Sequence, residues 1–173
     1  MASCTFIAFS VALSLALRTI DADAAKKLEA DEMAFLQNAA QEQLAEIALG
    51  KLAMKKASDK TVKEFGAEIV KDHQYASQEV KDLSAKEGIY LPVEMNGRQK
   101  KAQQRLSHLS GTEFDKAFIA FLLKEHRKHV EDLQKHATKL HSENVKQWAD
   151  ATEPILAVHL KKAEKVAETL RLK

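Results

Sequence analysis

Cysteine is almost missing from this chain. Its one thiol, Cys4, sits inside an apolar run near the start, so the sequence beyond it has no thiolate to bind a metal, attack a substrate or form a disulfide. Glycine and proline are scarce, at five and two in 173 residues, and aromatics make up 6%. With few breakers there are few turns, and no stretch shows the period-two alternation of a half-buried strand. An excess of one charge is missing as well: 27 Lys+Arg against 25 Asp+Glu leave a formal +2. Nucleic-acid binders concentrate basic residues on one face, so this balance argues against a nucleic-acid partner. There is no serine-histidine-acid arrangement, glycine-rich phosphate loop or zinc-protease motif, so no catalytic motif marks the chain as an enzyme.

What remains is a composition of helix formers. Ala, Leu, Lys, Glu and Gln dominate, and 30% of the residues are charged. The first 24 residues differ from the rest. "CTFIAFSVALSLAL" is uncharged and apolar, and the more polar stretch after it ends in "ADA" at Ala22–Ala24. Small residues at these positions predict signal-peptidase cleavage after Ala24, although the first positive charge, Arg18, follows the apolar run instead of preceding it. The run is short for a permanent anchor. The expectation is therefore a signal peptide over 1–24 and one domain over 25–173. The protein would be exported to a bacterial periplasm or cell envelope, thiol-free and without a stable membrane span after cleavage.

Start and stop signals divide that domain into four long helices and one short one. The first should run over 30–56. The second, capped by Ser58, should cover 59–87 and end at Gly88. "GIYLPVEMNG" breaks the pattern with turn chemistry, and a short helical piece follows over 98–109. Thr112 with Asp115 predicts a capping box opening a helix that extends to Leu140. Asn144 with Gln147 predicts another, opening a last helix towards Leu170 that Pro154 should kink. The outer pairs are joined by tight turns and the middle pair by a connection long enough to travel a whole helix. This is an all-α, ferritin-like four-helix bundle: two helical hairpins joined by a crossover that contains a short helix.

Winding each helix at ~100° per residue locates its apolar stripe. Glu46 falls in the stripe of Phe35, Ala39, Leu49, Gly50 and Ala53, with Glu42 one turn earlier. His73 lies among Val62, Ile69, Ala76 and Val80. His126 lies among Ile119, Leu122, Val130 and Leu133, and His159 among Trp148, Ile155, Leu156, Ala163 and Val166. All four sit near mid-helix, within about one ~5.4 Å turn of a common level. His129, His136 and His141 fall on the flanks of the third long helix and read as solvated, salt-linked to Glu125 and Asp132.

Three neutral imidazoles and a carboxylate suit one transition-metal ion, Zn, Fe, Mn or Cu. Glu46, His73, His126 and His159 are the candidate ligands, and Glu42 and Asp72 the additional ones. The same groups also suit a metal-free buried network in which Glu46 accepts from a protonated histidine.

"AEIALGKLAMKKASDKTVKEFGAEIVKDH", "GTEFDKAFIAFLLKEHRKHV" and "PILAVHLKKAE" resemble the bacterial family called domain of unknown function 4142, across essentially the whole of 25–173. The resemblance implies export and a ferritin-like bundle, supplies no activity, and places the family's polar positions on Glu46, Asp72, His73, His126 and His159. The di-iron members of the wider ferritin-like group carry Glu-x-x-His on two helices, whereas here Val70 and Leu156 stand three residues before His73 and His159. A mononuclear site therefore fits better than a ferroxidase. The functions left standing are metal handling or stress protection, an envelope protein that presents its Lys-rich outside to a protein partner, and, less favoured by the polar core, a carrier of amphiphiles.

Overall fold

A computed structural model describes residues 28–172; the expected signal peptide over 1–24 lies outside the described residues. Five helices and no strand occur among the described residues: α1 (Ala30–Lys56), α2 (Lys60–Lys86), α3 (Gly97–Ser107), α4 (Gly111–Ala137) and α5 (Glu143–Thr169). None of them is long and apolar enough to cross a membrane.

The hairpin partners α1 and α2 pack along their length, as do α4 and α5. α2 lies beside α5 and α1 beside α4, while the crossover helix α3 rests on α1 and α4. Leu49 and Ala53 near the end of α1 share one cluster with Val62 and Phe65 near the start of α2, Phe114 and Phe118 near the start of α4, and Ala163 and Val166 near the end of α5. The directions follow: α1 and α5 run one way and α2 and α4 the other, the ferritin-like arrangement. At the opposite end Leu36, Val80, Leu133, Val145, Trp148 and Leu156 form a second cluster.

Two glycines set the first hairpin. A Cβ on Gly50 would lie 2.7 Å from the Gly66 carbonyl oxygen, and one on Gly66 would lie 2.7 Å from the Ala53 Cβ. The α1 and α2 backbones therefore meet where neither helix has a side chain to hold them apart.

The helix ends differ from the sequence reading in four places. Asp59, not Ser58, caps α2, accepting from the Thr61 and Val62 amides at 2.7 and 3.2 Å. The capping box of Thr112 and Asp115 does not form. Ser110 precedes α4, and the buried Asp115 instead accepts from the Ser58 amide (3.1 Å), the Asp59 amide (2.9 Å) and the Ser58 hydroxyl (2.5 Å). A carboxylate that satisfies three donors across the bundle outweighs one local cap. Ser142, not Asn144, opens α5, because Asn144 is drawn to Glu87 at 2.9 Å. α4 stops at Ala137, three residues short of the expected end, and α5 continues through Pro154 as one helix.

Candidate metal centre

The four inward groups sit between the two apolar clusters. Glu46, His126 and His159 are each at most 1% exposed and His73 is 4% exposed, so none can rely on bulk water to satisfy its polar atoms. His73, His126 and His159 come together: one nitrogen from each ring lies within 4.8 Å of one from each of the others. Their ring centroids are 5.4–5.9 Å apart.

Each ring has one nitrogen committed to an acceptor. His73 Nδ1 donates to Gln43 Oε1 at 2.7 Å. His126 Nδ1 donates to the Leu122 carbonyl at 3.1 Å, and His159 Nε2 donates to Asp72 Oδ2 at 3.0 Å. These acceptors fix the tautomers and leave His73 Nε2, His126 Nε2 and His159 Nδ1 as lone-pair nitrogens. His73 Nε2 has no hydrogen-bond partner, and the other two face each other at 3.4 Å.

Electrostatics keep His73 and His126 neutral. Burial, reinforced by the other imidazoles, holds His73 well below the usual imidazole range. Burial together with His159 and His129 pushes His126 down to about 3. Neutral imidazoles with their second nitrogens hydrogen-bonded are the form in which histidine ligates metals.

Glu46 stands apart from this trio. Its Oε1 comes within 4.0 Å of His126 Nδ1, the nitrogen already bonded to Leu122, and its Oε2 has no partner. Burial pushes its carboxyl up to about 7; His129 pulls it down, while Glu125 and Glu42 push it further up. Glu42 is turned to His129, 3.0 Å from Nε2, close enough for an ion pair but not aligned as a hydrogen bond. Asp72 serves His159 from outside and belongs, with Glu68, to a second group around that ring. There Glu68 is ion-paired with the Lys162 ammonium, which already supplies a cation.

Two residues expected at the surface are buried. His129 is 6% exposed and Glu125 5%, and Glu125 is gripped by both terminal nitrogens of Arg98, at 3.0 and 2.7 Å. The reason is α3: packed on α1 and α4, it covers the flank of α4 that a bare bundle would leave in water. Burial alone would lower His129, but Glu42, Glu46 and Glu125 outweigh it and raise its proton affinity. His136 is half-buried, stacked on Phe35 at 5.1 Å, and His141 is exposed. Gln43 was not singled out from the sequence, yet it lies one turn before Glu46 on the same stripe.

A cavity of about 680 Å³ opens beside this layer. Asp31, Ala34 and Asn96 line it along with Trp148, and it reaches Glu42, Gln43, His73 and His129.

The sequence pattern of a domain of unknown function, DUF4142, matches residues 18–166. The chain belongs to the DUF4142 family. A comparison with curated proteins gives no significant match. A crystal structure of a DUF305 fragment from Deinococcus radiodurans is similar to this DUF4142 chain with a TM-score of 0.73 and 13% identity, covering 82% of this chain and 98% of that one. At that identity the likeness shows the fold alone. The buried histidines of the DUF4142 bundle form a group that could hold a metal ion.

Proposed function

We propose that this DUF4142 protein is exported to the bacterial cell envelope and holds one transition-metal ion between His73, His126 and His159, in metal handling or stress protection. The observation that carries the reading is the convergence of three buried imidazoles, one nitrogen of each within 4.8 Å of the others, while one nitrogen on every ring is fixed by an acceptor. Three imidazoles with no carboxylate among them favour Zn, Cu or Fe over Mn. The metal would act as a Lewis acid or redox centre according to its identity. The chain's own part is to hold three neutral nitrogens in place and keep bulk water out. Glu46, directed to the far side of His126, is a neighbour in this reading and not a ligand. Export is supported by the apolar run ahead of Ala22–Ala24 and by the absence of thiols beyond it.

A second reading has its own observation. His126 Nε2 and His159 Nδ1 are 3.4 Å apart, a distance at which a shifted proton would make a hydrogen bond without any metal. The bundle would then be a structural envelope protein with a buried Glu/His network.

Metal content separates the two. Protein over 25–173, purified without a histidine tag, is measured by plasma mass spectrometry beside a His73→Ala/His126→Ala double variant. Near-stoichiometric metal in the wild type and none in the variant supports the metal reading. A wild type that is empty and refuses added Zn, Fe, Mn and Cu leaves the structural network.

A further inference from the structure

We propose that the cavity is the route by which metal enters and leaves, with His73 as the ligand that swings aside and Gln43 as the latch that holds it. The inference rests on the metal reading above and adds a direction and a moving part to it.

The cavity is lined by Gln43 and His73, and neither His126 nor His159 takes part in its wall. An ion arriving from solvent therefore meets His73 before either of the other two rings. Yet His73 Nε2 is sealed from water and unpartnered. The ring thus presents another edge to the cavity and stands as a partition between open space and the three converging nitrogens. On the far side the layer is closed: Phe65 packs edge-on against His159 at 6.1 Å, backed by Leu49, Phe118 and Leu122, all at 0% exposure.

The three rings are not held equally. His126 is tied to a carbonyl of its own helix, one turn back, and moves only with α4. His159 is tied to a carboxylate, a charge-assisted bond. His73 alone is held through its Nδ1 by a neutral side chain, Gln43, and that side chain lines the same cavity. Breaking this bond frees the ring towards a space of about 680 Å³, ample for an imidazole and a hydrated ion. In the wall Asp132 is paired with Lys128, Glu42 faces His129 and Arg98 is engaged by Glu125, which leaves Asp31 as the wall carboxylate without such a partner among the described residues.

The test follows release of Co(II) from the loaded protein into excess chelator, read by the visible absorption of the bound ion. Gln43→Leu keeps the bulk and removes the acceptor; release should be about tenfold faster, the size of effect typical when a ligand's outer hydrogen bond is lost. Gln43→Glu restores an acceptor and should return release to the wild-type rate or slower. Ala34→Trp, at an exposed position on the cavity rim, should slow both uptake and release with an unchanged spectrum. Wild-type rates in both Gln43→Leu and Ala34→Trp, with metal still bound and the spectrum intact, overturn the route. A wild type that binds no Co(II) at equilibrium overturns the metal reading and the route with it, so the two failures look different.

Discussion

The two ends of the bundle core are built differently. The cluster around Phe65, Phe114 and Phe118 is sealed, with those three rings and Leu49, Ile69, Leu106, Ile119 and Leu122 all at 0% exposure. At the other end Trp148 and Leu133 are 9% and 7% exposed, and both line the cavity together with Phe35. The polar layer lies between a closed apolar floor and a leaky one. Closed packing on one side fixes the heights of His126 and His159; looseness on the other leaves His73 and His129 next to open space. The difference shows that a buried polar layer need be reachable from one direction only, and that the sealed end can supply the stability.

The comparison breaks most visibly at the sealed end. Phe118→Ala should cost about 3–5 kcal/mol in urea unfolding, since the void cannot collapse among neighbours that are already close-packed. A loss under about 1 kcal/mol would mean that this end is no tighter than the other.

Gly50→Ala comes next. The new methyl meets a backbone oxygen of Gly66, which cannot rotate away. Overpacking of about 1–3 kcal/mol, partly offset by about 1 kcal/mol of helix propensity, should leave a measurable net loss. A stabilised variant would show that the hairpin opens freely.

The polar layer itself should be read by pH in the metal-free protein. His73 and His126 are neutral when folded and take up protons near 6.5 when unfolded, so their contribution falls as pH drops below 6.5, for His126 down to about 3. Glu46 runs the other way, its burial favouring the protonated form, so stability falls as pH rises from 4.5 to about 7. His129, raised above 6.5, adds stability that is complete below 6.5 and lost as pH rises through its folded value. Below 6.5 two imidazoles oppose one carboxyl and stability declines; above it Glu46 and His129 both weaken the fold. The urea midpoint should therefore peak near pH 6.5, and Glu46→Gln should flatten the alkaline limb and steepen the acid one between 4.5 and 6.5, where the carboxyl opposes the imidazoles. A midpoint that climbs steadily into the alkaline range would contradict these assignments.

The smallest effect is expected at the leaky end. Trp148 Nε1 is buried and unpartnered, so Trp148→Phe removes an unsatisfied donor along with some contact area. The balance should lie within about 1 kcal/mol of the wild type, far below the Phe118→Ala loss. A larger loss would mean that the indole nitrogen has a partner in solution.

Much of this architecture was legible in the sequence because it is local and periodic. Helix extents, the crossover and the inward direction of Glu46, His73, His126 and His159 follow from caps and a 3.6-residue repeat. Helical winding locates a Cβ, however, and not the end of a side chain. Glu46 shares the level of the histidines, but its carboxylate faces the wrong edge of His126. His129 and Glu125 were misread because their cover comes from Arg98 and α3, 27 residues before Glu125, and no periodicity within α4 encodes that contact. Asp115 was misread for the same reason: its donors, Ser58 and Asp59, lie in another hairpin. Gln43 escaped notice because an amide on a helix commonly marks a wet face, and its role depends on what α2 puts opposite it.

Gly50 and Gly66 have a bearing on descent as well as on packing. Because backbone meets backbone there, α1 and α2 have a single axial alignment, and that alignment is what sets Gln43 opposite His73. A lineage that gained a side chain at either glycine would have to spread the hairpin, and the distance between amide and imidazole would grow with it. Across relatives, then, small residues at these two positions and the amide–imidazole pair should be inherited together or lost together, although Gly50 follows Gln43, and Gly66 precedes His73, by about two helical turns of sequence.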